Sequence, residues 1–89
     1  MAQFYVQGPT ETIEYQILWS EVLPENTTIS TSEWSGDGVV LTNEALDGSF
    51  TAVFVSGGLV GKMYTLKNSI TLDNNEVYDD SIFIYFEEK

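Results

Sequence analysis

The sequence predicts an all-β fold: two antiparallel sheets of about seven short strands, packed face to face as a sandwich. Three observations predict it. Apolar residues recur at every second position through most segments, the period of a strand with one buried face. Turn signals separate those segments at short intervals: Gly8-Pro9, Pro24-Glu25-Asn26, Ser35-Gly36-Asp37-Gly38 and Asp73-Asn74-Asn75-Glu76. The third is the stretch VSGGLVGKMYTLKNSITL, residues 55–72, which reads as a strand end, a glycine-rich corner and a long strand opening at a tyrosine. Gly57, Gly58 and Gly61 let the chain turn sharply there. Tyr64 then stands where sandwich domains of immunoglobulin type carry a buried corner tyrosine, its hydroxyl bonded back to the corner backbone. The predicted fold is therefore an immunoglobulin-like β-sandwich.

The elements follow in order. Phe4-Tyr5-Val6 is a short apolar run ended by Gly8-Pro9, so residues 1–9 form a brief edge strand or an arm able to extend a neighbour's sheet. Ile13, Tyr15 and Ile17 share one face of a strand over residues 12–17, with Glu14 and Gln16 on the other. Trp19, Val22 and Leu23 carry the apolar character on to Pro24, as a helical turn or as extended chain. In residues 27–34, Ile29 and Trp34 fall on opposite parity, and a bulge near Ser32-Glu33 would bring both to one face. Trp34 is expected to be the buried tryptophan of the sandwich.

Residues 39–42 form the next strand, and the polar residues 43–48 connect it to residues 50–55. There Phe50, Ala52 and Phe54 oppose Val53 and Val55. Residues 63–72 place Tyr64, Leu66 and Ile70 on one side with Asn68 between them. Asp73-Asn74-Asn75-Glu76 suits a tight hairpin, because Asn tolerates the left-handed conformation. In residues 81–86, Ile82, Ile84 and Phe86 oppose Phe83 and Tyr85. Both faces are apolar, so this strand is central or is covered by a partner.

Composition bounds the function. Eighty-nine residues make one domain near the small end of what folds unaided. Without cysteine there is no disulfide or thiolate site, and without histidine the commonest general base and imidazole ligand are missing. Two Trp, five Tyr and five Phe supply a small core or an interface. Fourteen acids against three bases give a net charge of −11, which disfavours nucleic acid and anionic membranes and suits a basic protein surface, or solubility alone. The N-terminus lacks the basic start and apolar core of a signal peptide, so the expected setting is a cytoplasm or a particle built there. Asn26-Thr27-Thr28 matches a glycosylation sequon but reads as a polar loop.

Reactive constellations are weak. Asp73, Glu76, Asp79 and Asp80 cluster around the last hairpin without the spacing of a calcium loop, and read as solvated. Asp37 and Asp47 lie in turns with no evident cleft for paired-carboxylate hydrolysis. Ser20 and Ser56 have no histidine to activate them. No enzyme, metal or cofactor is expected.

Several pieces in order carry a resemblance: residues 15–20 (YQILWS), residues 28–34 (TISTSEW), residues 51–58 (TAVFVSGG), then Gly61, Tyr64, Asn68 and Ile70-Thr71. Together they resemble small immunoglobulin-like proteins encoded beside the head genes of tailed bacteriophages, over roughly residues 14–86. The chain departs from that pattern at Leu18, where an aspartate is usual, and at Asp79-Asp80, where arginine is frequent. The resemblance implies a virion component that decorates the outer surface of the head as a cement protein. It would bind the major capsid protein or other virion proteins in many copies or as a homo-oligomer. A neck, tail or fibre-base component is the alternative, and an adhesion or carbohydrate-binding module is the alternative of another class. Apolar character nominates Phe4, Tyr5, Trp19, Val22, Leu23, Phe83 and Tyr85 as contacts, with Trp34, Gly57, Gly58, Gly61 and Tyr64 as structural.

Overall fold

Alternating apolar residues bury one face of β-strands such as residues 13–18, 63–72 and 77–86, and the computed structural model, which describes residues 3–88, closes those faces on one another. Seven strands result: β1 (Gln3–Gln7), β2 (Ile13–Leu18), β3 (Ile29–Ser35), β4 (Val40–Leu46), β5 (Phe50–Ser56), β6 (Met63–Leu72) and β7 (Val77–Phe86). They form a four-stranded sheet in the order β1-β7-β6-β3 and a three-stranded sheet in the order β2-β5-β4. All pairs are antiparallel except β1 with β7, which is parallel. The first strand is thus a docked edge strand of the larger sheet.

The core lies between the sheets. Tyr15, Ile17, Val53 and Val55 meet Leu66, Ile70, Ile82, Ile84 and Phe86, with Trp19 and Trp34 buried among them. One polar cluster crosses this core. The fully buried Asn68 accepts from the Trp19 indole N–H (3.2 Å) and the Thr51 hydroxyl (2.6 Å). Its amide donates to Ser32 Oγ (2.9 Å) and the Glu33 carbonyl (3.0 Å). All four hydrogen-bonding positions of the side chain are filled, so its burial carries no desolvation penalty left unmet. These bonds tie β5 and the end of β2 to β6 and β3.

The glycine corner is built on the same logic. The Tyr64 hydroxyl accepts the Leu59 N–H at 2.9 Å, and its ring meets Phe86 edge-on with centroids 5.4 Å apart. A Cβ on Gly58 would stand 2.3 Å from the Phe86 ring, so only glycine lets the backbone lie on that ring. Gly57 and Gly61 hold φ of 83° and 84°, and Gly61 N–H donates to the Phe86 carbonyl at 2.8 Å.

Three boundaries differ from the sequence expectation. The bulge in β3 falls between Ile29 and Thr31 rather than at Ser32-Glu33, and still brings Ile29 and Trp34 to the core. Residues 43–46 belong to β4, because a register shift at Asn43-Glu44, with Asn43 at φ 51°, lets Ala45 and Leu46 pair with β5 beyond it. The last strand begins at Val77, four residues before Ser81 in sequence. Asn75 takes φ 72° and Leu72 N–H donates to the Glu76 carbonyl, so the ladder resumes at once after the hairpin.

Candidate functional site

The nominated residues separate into two places. Phe4 and Val6 point outward from β1, and in register beside them stand Phe83 and Tyr85 of β7, then Thr65 and Met63 of β6. Phe4 is 58% exposed, Met63 54% and Val6 41%, while Phe83 and Tyr85 are half-buried. Five apolar side chains on three hydrogen-bonded strands thus make a continuous face at one end of the larger sheet. The exposed Leu59 and Val60 lie in the adjoining glycine corner. Toward the other end the face turns polar, with Lys67 and Asp79 paired at 3.6 Å. A contiguous apolar patch on a charged small protein is the ordinary signature of a protein contact.

The alternation of residues 63–72 already set Met63 opposite the buried Tyr64, but only strand pairing reveals that Met63 and Val6 flank Tyr85. Sequence reasoning missed both for that reason.

The other nominated residues lie elsewhere. Trp19 is 3% exposed and belongs to the core, so it is not a surface anchor; its indole N–H is committed to Thr51 and Asn68. Leu23 packs half-buried against the core, because Val22 and Leu23 N–H groups both close onto the Trp19 carbonyl in one helical turn. Tyr5 faces away from Phe4, its ring 4.9 Å from that of Tyr15. Together with Val22, which is exposed, Tyr5 lines a groove of about 910 Å³ where the edge of β2 faces the first half of β7.

At the end of β1, Gln7 is fully buried. Its amide donates to the carbonyls of Glu11 (2.8 Å) and Val55 (2.9 Å), and its oxygen accepts from the Tyr15 hydroxyl (2.8 Å). Burial, then the neighbouring Tyr5 and Glu11, push the Tyr15 hydroxyl up to about 12. Among the described residues no group of three or more carboxylates comes together to hold a metal ion.

The profile of one family, Podophage GP4 fiber-tail adaptor protein gp77, matches residues 7–85. The chain belongs to this family. It is therefore a structural protein of a tailed-phage virion. No curated protein matches it. Among solved structures, the crystal structure of the titin M3 domain is similar at a TM-score of 0.57 and 14% identity, covering 98% of this chain and 90% of that one. That likeness shows the immunoglobulin-like fold and nothing of function. The gp77 family fits a position at the tail or fibre base better than decoration of the head.

Proposed function

We propose that this protein is a non-enzymatic adaptor that joins a fibre to the tail of the virion, using the apolar end of the four-stranded sheet as one of its contact faces. The family supports the tail position. The observation that carries the face is the register that sets Phe4, Val6, Met63, Phe83 and Tyr85 side by side on three strands. Aromatic and methionine side chains clustered on a rigid sheet form a contact that needs little ordering on binding. The chain's net charge of −11 favours partners whose rims are basic. Binding to the major capsid protein is the weaker reading, since nothing in the family points to the head.

Phe83→Asp tests the face. It puts a charge at the centre of the patch while leaving the core residues Ile82 and Ile84 in place. The variant is expected to keep its fold by circular dichroism and to lose cosedimentation with particles that lack the native protein. Unchanged cosedimentation would show that the contact lies elsewhere.

A further inference from the structure

We infer that the outer edge of β2 accepts an extended, basic strand from a partner, lying along the groove between the two sheets. In the seven-strand immunoglobulin arrangement the first strand stands beside the second, in the sheet that also holds the fourth and fifth. Here β2, β5 and β4 keep those positions, but β1 is paired to β7 in the opposite sheet. Among the described residues no strand lies beside β2 on its outer side. Alternate N–H and C=O groups of this six-residue strand therefore face outward as a ladder template. No proline interrupts it, since Pro9 and Pro24 fall outside.

The groove supplies what a strand needs besides the ladder. Its accessible apolar surface comes from Tyr5, Val22 and the half-buried Ile13 and Tyr78, over the buried Tyr15 and Ile17, and meets alternate side chains of an added strand. Its walls carry Glu14, Glu21, Asp79 and Asp80 and no lysine, although Asp79 is shared with Lys67 outside. An occupant alternating apolar with basic residues satisfies both. Six residues of β2 match about 20 Å of extended chain. A second copy of this chain is a poor occupant, because at net charge −11 its own segments are repelled. The inference rests on the adaptor reading only for the source of the strand, a neighbouring virion protein.

The probe is an acetylated peptide of about seven residues alternating valine with lysine, long enough to span β2. Added to the full chain, it is expected to shift the backbone amide resonances of residues 13–18 and slow their hydrogen exchange several-fold. Binding should weaken several-fold in the double variant Glu14→Lys, Glu21→Lys, and the same peptide N-methylated at alternate residues should not bind. Shifts that avoid β2, or equal binding of the N-methylated peptide, would overturn strand capture. The probe contains no virion component, so its failure leaves the adaptor reading standing. Phe83→Asp is expected to bind the peptide as the unaltered chain does, which keeps the two contacts separable.

Discussion

The two tryptophans show how differently one residue type is held. The Trp19 indole N–H donates to both Thr51 and Asn68, whereas the buried Trp34 N–H has no acceptor among the described residues. Replacing Trp19 by Phe leaves those two oxygens short of a donor, while Trp34→Phe removes a group that already lacks a partner. Trp19→Phe is therefore expected to destabilise more than Trp34→Phe, by about 1–2 kcal/mol in denaturant unfolding. Trp34 and Tyr64 were legible in the sequence because a strand and a corner mark them locally. Trp19 was not, since its acceptors lie 32 and 49 positions away and only the closed sandwich unites them. Tyr15 adds a pH dependence. Its hydroxyl is raised from 10.0 to about 12, so the folded state favours the neutral phenol. That contribution is fully present below about pH 10 and is lost as pH rises through about 12. Tyr15→Phe should flatten this alkaline limb, as measured by unfolding midpoints across the window.

At the level of elements, the strands themselves were readable from period-two alternation, and their ends were not. Residues 43–46 look like a loop by composition, yet one left-handed Asn and a register shift keep them in β4. Residues 77–80 look like a solvated acidic hairpin, yet the turn closes tightly enough that β7 begins there. β1 illustrates the remaining gap. Its sequence allowed an arm or an edge strand, and the deciding contact is the buried Gln7 side chain, which bonds across to both Val55 and Tyr15. Gln7→Ala should destabilise the fold by about 2 kcal/mol, because it strands buried partners on the opposite sheet. Amide exchange is expected to quicken in β1 ahead of β6, and equal acceleration in both would show that Gln7 does not specifically anchor the first strand.

For the whole molecule, a small acidic sandwich carries two separate surfaces: an apolar sheet end and a groove beside an open strand edge. The sequence placed Phe4, Phe83 and Tyr85 at a contact but could not join them, because neighbours in a sheet are set by register rather than by distance along the chain. It also nominated Tyr5 and Val22 for the same contact, and the fold sends both to the groove instead. The proposed adaptor would use both, one for each partner. The direct test is to count the copies retained on tailed particles depleted of the native protein and, in parallel, on heads without tails. An adaptor saturates the tailed particles at about a dozen copies or fewer, set by the cyclic symmetry of the tail, and leaves the heads bare. Saturation of tailless heads at hundreds of copies would contradict the adaptor and return the protein to the capsid surface.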